Sequence, residues 1–238
     1  MSDLLSTLNY RPEPLRFGTS GRRGRVRDLT QLEIYINVLA ELEYLQTLAP
    51  EAGGAAREDE VYFAHDLRPS STALSEEFGG RGELCQAVVR AIADAGMRPV
   101  NLGPLPTPAL ALRGLARHRA SIMVTGSHIP FDLNGYKLNT SVGELLKEHE
   151  DPINQAVERV RTRICGRDAA ESLFDANGMF KAGSLELPKV DGSAREEYLA
   201  RYVGFFGAGC PPDWSQGVGG SQAPMGYREQ DIGRADGT

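Results

Sequence analysis

Ser121-Ile122-Met123-Val124-Thr125-Gly126-Ser127-His128-Ile129-Pro130 is the stretch on which the fold turns. Its first four residues are a short apolar run of strand character, and they pass without a spacer into a loop that carries Gly, Ser, His and Pro. Immediately upstream, Thr107-Pro108 reads as an N-cap followed by a proline at the first helical position, opening a helix through Leu110, Leu112 and Leu115. Before it, Pro99-Val100-Asn101-Leu102-Gly103 reads as a strand. A helix from about Glu83 to Ala95 carries Leu84, Ala87, Val88, Ala91 and Ile92 on one side, with Gly96 placed to end it, and Val61-Tyr62-Phe63-Ala64 is a further strand. Strand, helix, strand, helix, strand in this order predicts parallel strands joined by crossover helices, an α/β sandwich with ligand sites beyond the carboxyl ends of its strands. Ser127 falls at such an end.

Further out, Thr30-Gln31-Leu32-Glu33 has capping-box spacing, and Leu32, Tyr35, Val38, Leu39, Leu42 and Leu45 recur at helical intervals up to Pro50. Residues 51–60 read as an exposed loop. Asp151-Pro152 opens another helix, with Ile153, Ala156, Val157, Val160 and Ile164 as its buried stripe and Gly166 as its stop, and residues 167–190 are a mixed connector. Ser193 to Phe206 is a last helix. From Pro211 to Thr238 there is no Leu and no Phe but six glycines, a composition that does not bury enough apolar surface to fold alone. The expected organisation is one domain over residues 1–190, an incomplete second domain beginning over 191–210, and an aberrant, disordered tail over 211–238.

Composition narrows the class. Hydrophobic residues make up 41% and charged residues 24% of the 238, ordinary for a packed globular protein. With 26 Lys and Arg against 32 Asp and Glu, the net charge of −6 argues against a general nucleic-acid binder, so an anionic ligand must be met by a few placed cations. Cys85, Cys165 and Cys210 are odd in number and far apart, and read as reduced thiols. No stretch approaches membrane-spanning length and the start has no basic, apolar leader, so a soluble cytoplasmic protein is expected. Oligomeric state is not legible.

Five segments in order carry a resemblance. Phe17-Gly18-Thr19-Ser20-Gly21-Arg22-Arg23-Gly24, Asp66-Leu67-Arg68-Pro69-Ser70-Ser71, Gly103-Pro104-Leu105-Pro106-Thr107-Pro108, Thr125 to Pro130, and Asn134-Gly135-Tyr136-Lys137 resemble F-G-T-S-G-x-R-G, D-x-R-x-S-S, G-x-x-x-T-P, T-A-S-H-N-P and N-G-x-K of the phosphohexomutase superfamily. Each is weak alone; a Ser-His pair in a loop is more often a hydrogen-bonded turn, and an arginine cluster more often a solvated patch. The ordered combination overturns those bland readings. The resemblance implies a three-layer α/β/α sandwich with a mixed, mostly parallel sheet.

It also implies a chemistry: interconversion of hexose 1-phosphate and hexose 6-phosphate through a phosphoserine and a bisphosphorylated sugar. Ser127 would carry the phosphoryl group and bind Mg²⁺ through it; His128 and Lys137 would orient the phosphate or assist proton transfer; Arg23 would clamp it, with Thr19, Ser20, Arg23 and Lys137 binding substrate phosphate. A sugar bisphosphate would serve as activator, and a small phosphosugar as substrate. A phosphoserine brings close to two negative charges, and the segments supply Arg22, Arg23, Arg25, His128 and Lys137. Gly126 would let the backbone approach a phosphate, and Asn134-Gly135 would make a tight turn aiming Lys137 back at Ser127. His65, His118 and His149 read as structural or surface residues, and Asp66 with Arg68 as an ion pair.

The chain departs from the pattern in three places. Gly126 stands where Ala is usual, a mild change by size, and Ile129 stands where Asn is usual. The superfamily's metal loop, D-G-D-x-D-R, does not occur in these 238 residues. With the composition change near Cys210, this suggests a truncated or frame-shifted product, and the alternative to a mutase is an inactive remnant acting at most as a binding or interaction domain.

Overall fold

A computed structural model describes residues 2–15, 17–18 and 21–207. Three parallel strands form the centre of its main sheet: β3 (Glu60–His65), flanked by β6 (Arg98–Pro104) and β7 (Ser121–Val124). Helix α4 (Leu84–Asp94) connects β3 to β6 and α5 (Thr107–Arg117) connects β6 to β7. Side chains alternate across a strand, so β3 and β7 each feed two cores. Phe63, Ile122 and Val124 pack with Leu84 and Val88 of α4, with Leu39 and Leu42 of α2 (Gln31–Leu45), and with Val157 and Val160 of α6 (Glu150–Cys165). Tyr62, Ala64 and Met123 pack on the opposite face with Leu110 of α5. Each fully buried aliphatic side chain contributes about 1.5–3 kcal/mol. The result is the expected α/β/α layering.

The sheet then turns antiparallel. Its order is β1-β2-β8-β7-β3-β6, with β1 (Phe17–Gly18), β2 (Gly21–Arg25) and β8 (Leu133–Asn139) joined by antiparallel pairings. Strands β2, β7, β3 and β6 point the same way, while β8 and β1 oppose them. Asn134-Gly135, expected as a turn, lies inside β8 opposite Gly24 and Arg23. A Cβ on Gly135 would stand 2.0 Å from the Arg22 carbonyl oxygen, so the glycine serves close strand approach rather than chain reversal.

The helix starts explain themselves locally. Thr30 Oγ1 accepts from the Glu33 N–H at 3.1 Å, but the Glu33 carboxylate does not close a capping box; it takes Arg161 of α6 at 2.5 and 2.7 Å and ties two helices together. Helix α5 begins one residue earlier than expected, with Pro106 as its N-cap. The short elements are α1 (Leu4–Thr7), α3 (Pro69–Thr72) and the hairpin β4 (Leu74–Ser75) with β5 (Arg81–Gly82).

The chain divides into two compact units, Met1–Tyr198 and Leu199–Thr238. The first runs past the expected boundary at 190. The Asp191 N–H donates to the Asn101 carbonyl at 2.7 Å, Asn101 Nδ2 donates to Pro188 O at 2.8 Å, and Arg113 pairs with Glu197 at the start of α7 (Ser193–Phe206). Of the second unit, 199–207 are described; the tail expected over 211–238 lies outside the described residues. Cys85 and Cys165 are free and buried, and Cys210 falls among the residues not described. Among the described residues no helix is long and apolar enough to cross a membrane.

Candidate functional site

From β3 the chain passes to β6 on one side and then returns across β3 to β7 on the other. The carboxyl ends of β3 and β7 therefore lie side by side at a switch in strand order, the place where open α/β sheets form ligand crevices. Asp66 leaves the first strand there and Thr125 the second, with the Asp66 N–H donating to Val124 O at 3.0 Å. The amino end of β8 and the carboxyl end of β2 border the same edge.

Asp66 organises the loop. Its Oδ2 accepts from Thr125 Oγ1 at 2.9 Å, from the Gly126 N–H at 3.1 Å and from Arg68 Nε at 3.2 Å; its Oδ1 accepts from the Arg68 N–H at 3.0 Å and Ser71 Oγ at 2.8 Å. Thr125 Oγ1 in turn accepts from the Ser127 N–H at 2.8 Å. Asn134 Nδ2 donates to Ser70 Oγ and Ser71 Oγ at 2.9 and 3.1 Å, so β8 is tied into the same network. Ser127 itself is exposed and left-handed, φ +54°, a conformation that a non-glycine residue keeps only when its surroundings impose it. Its Oγ lies 3.3 Å from His128 Nδ1.

The expected cations divide. Arg23 sits half-buried in β2 opposite Gly135, whose carbonyl takes the Thr125 N–H at 2.9 Å, so Arg23 is beside the root of the loop; no acidic partner reaches it among the described residues. Arg25 and His128 are exposed at the same end. Arg22, one residue from Arg23, faces the other way. It is buried with Nε 2.8 Å from Glu41 Oε1 and Nη2 3.1 Å from Asn154 Oδ1, and it holds β2 to α2 instead of meeting an anion. Burial raises the Glu41 pKa against the opposing pull of Arg22. Lys137 lies opposite Met123, deeper in the sheet than the loop, and its Nζ is 2.5 Å from Glu144 Oε1. Thr19 and Ser20 lie outside the described residues.

Two expectations change. Gly126 does not open room for a phosphate: a Cβ there would stand 2.6 Å from the Arg68 guanidinium, which already fills that space. A methyl there requires the guanidinium, the far end of a flexible side chain, to shift. Asp66 and Arg68 do form an ion pair, but their larger role as the frame of the Ser127 loop went unread in the sequence, although they belong to one of the five segments. Of the histidines, His65 Nδ1 is 2.8 Å from the Asp66 carbonyl oxygen and His149 Nδ1 is 2.7 Å from the Tyr44 hydroxyl, while His118 caps α5.

Fold and edge together define an α/β protein with a clamped serine at its switch point. The sequence model of phosphoglucomutase/phosphomannomutase α/β/α domain I matches residues 14–163. A phosphomannomutase of Sinorhizobium fredii is 39% identical over 180 residues, covering 73% of this chain and 35% of its own. A phosphomannomutase of Salmonella muenchen is 30% identical over 192 residues, 81% of this chain and 32% of its own. A phosphoglucosamine mutase of Helicobacter pylori is 27% identical over 191 residues, 79% of this chain and 35% of its own. The chain belongs to the phosphoglucomutase/phosphomannomutase family, and it spans about a third of the length of these curated relatives.

Proposed function

We propose that this chain is the phosphoserine-bearing domain of a phosphohexomutase, with Ser127 taking up and returning the phosphoryl group as hexose 1-phosphate and hexose 6-phosphate interconvert. The observation that carries the reading is the exposed Ser127 hydroxyl on a left-handed residue clamped at the switch point, with His128 beside it and Arg23 at the root of the loop. In the transfer to sugar, the bond from phosphorus to Ser127 Oγ breaks as a sugar hydroxyl oxygen bonds to phosphorus; that hydroxyl loses its proton and Oγ regains one. His128, with Nδ1 3.3 Å from Oγ, is the residue placed to supply it. Arg23 would hold phosphate oxygens, and Lys137 would join it on leaving Glu144. Mannose, glucose or glucosamine phosphate is the proposed substrate class, and a sugar bisphosphate the activator.

The family resemblance also points to Mg²⁺ on the phosphoserine. Among the described residues no group of three His, Cys, Asp or Glu could hold a metal ion, and both oxygens of Asp66 are taken by protein donors. These residues do not by themselves fit a Mg²⁺ site. That favours a second reading: a domain that accepts phosphate on Ser127 without turning substrate over.

The test is to incubate the chain with glucose 1,6-bisphosphate and Mg²⁺, map phosphate by peptide mass spectrometry, and assay turnover of mannose 1-phosphate and glucose 1-phosphate. Phosphate on Ser127 with turnover, both abolished by Ser127→Ala, supports the mutase. Phosphate without turnover supports the second reading, and an unmodified Ser127 without turnover defeats both.

A further inference from the structure

The Arg68 guanidinium has five N–H donors, and all of them are spent on the protein. Nε donates to Asp66 Oδ2 at 3.2 Å; Nη1 donates to the carbonyls of Pro130 and Leu133 at 3.0 and 3.2 Å; Nη2 donates to those of Ser127 and Ile129 at 3.2 and 2.7 Å. The side chain is mostly buried, and the Phe131 ring lies over it at 6.0 Å. An arginine bound in this way has no donor left for an anion, although it stands within two residues of Asp66 at the edge of the site. What it does hold is the direction of four carbonyl groups. Turned inward onto one cation, they are kept from facing a phosphate on the Ser127 side chain, which their negative ends would repel.

We infer that Arg68 is a positioning residue for phosphoryl transfer at Ser127, and that residue 126 is coupled to it because the guanidinium occupies the space a side chain there would need. The inference rests on the reading of Ser127 as phosphoryl carrier. A side chain at 126 has to displace the guanidinium and so strains its bonds to the carbonyls that hold the loop. Arg68→Lys does not substitute, since an ammonium lacks the planar fork that spans four carbonyls.

The 238-residue chain, with its Arg68→Ala, Arg68→Lys and Gly126→Ala variants, is given glucose 1,6-bisphosphate, and the rate of phosphate gain on Ser127 is followed by intact mass. Amide hydrogen exchange across residues 125–133 is measured on the same samples. A displaced reacting group loses on the order of 100-fold in rate, expected for all three variants together with faster exchange confined to this loop. Methylguanidinium added to Arg68→Ala should restore rate and protection where ethylammonium does not, an effect that a general loss of packing does not give. Should Arg68→Ala fail to fold, Gly126→Ala, which removes no atoms, carries the same two readouts. Wild-type rates and wild-type exchange in the variants overturn the inference. If wild-type chain gains no phosphate, the phosphoryl reading fails, and the exchange and its guanidinium rescue alone decide whether Arg68 holds the loop.

Discussion

Asp66→Asn keeps the shape of the group at the centre of the loop network and removes its charge. The best amide orientation leaves the single remaining oxygen at the Oδ2 position, where Thr125 Oγ1, the Gly126 N–H and Arg68 Nε converge. The NH₂ then faces the Arg68 N–H, which donated to Oδ1 at 3.0 Å, while the Ser71 hydroxyl can rotate to accept. One backbone N–H is left against a donor and three hydrogen bonds lose their charge assistance. Hydrogen bonds to charged groups contribute about 1.5–3 kcal/mol each and neutral ones about 1, so the variant should lose about 3 kcal/mol. Solvent does not erase this, because Asp66 and Arg68 are 21% and 12% exposed. In thermal melts the loss corresponds to a drop of roughly 6–12 °C for a chain of this size. Urea unfolding should show a lower midpoint at unchanged slope. A loss below about 1 kcal/mol, with the slope intact, would refute the assignment of Asp66 as the frame of the loop.

Glu41→Ala should cost about 3–5 kcal/mol in the same urea assay, because it strands the Arg22 charge in the core. Gly135→Ala should cost about 3 kcal/mol or more, since the new Cβ meets the backbone of β2 and no flexible side chain can yield; amide exchange should rise along Arg22–Arg25 and Leu133–Lys137. Asp191 is held below the usual carboxylate pKa first by the Ser193 hydroxyl and N–H, with Arg113 adding to the effect. A depressed folded pKa gives stability that is complete above the unfolded value near 4 and is lost as pH falls through the lower folded one. Asp191→Asn should therefore reduce stability at neutral pH and flatten the acid limb, and an unchanged acid limb would count against the contact.

What was legible in the sequence follows from what is local. Helix α4 with its stripe, α6 with Gly166 after it, and β7 running into the loop are each specified by residues close to one another in the chain. Strand β8 was not, because Asn134-Gly135 has the chemistry of a turn and its glycine is explained only by the Arg22 backbone pressed against it. The division between Arg22 and Arg23 follows from the two-residue period of a strand, but applying that period requires knowing that Gly21–Arg25 is a strand. Asp66 and Arg68 act on carbonyls and donors about sixty residues further along the chain, a relation that no spacing rule encodes.

The two charges of a phosphoserine must be met by whatever the loop has not already used. Asp66 adds a negative charge at the base of the site, and Arg68 cancels it with every donor engaged, so the frame is electrically neutral toward a phosphate. Arg23 is then the cation best placed for it, lying beside Gly135 at the root of the loop. Lys137 sits opposite Met123, four residues before Ser127 and inside the sheet, away from the loop. Its bond to Glu144 joins it to a carboxylate that is 66% exposed, and such pairs contribute at most about 1 kcal/mol. A phosphate that folds back over the sheet face, past Arg23, can therefore draw Lys137 away at small cost, whereas one extending outward meets Arg23 and His128 alone. The direction in which the phosphate leaves Ser127 thus decides whether the site has one full cation or two, and Arg68, by fixing the backbone at Ser127, sets that direction.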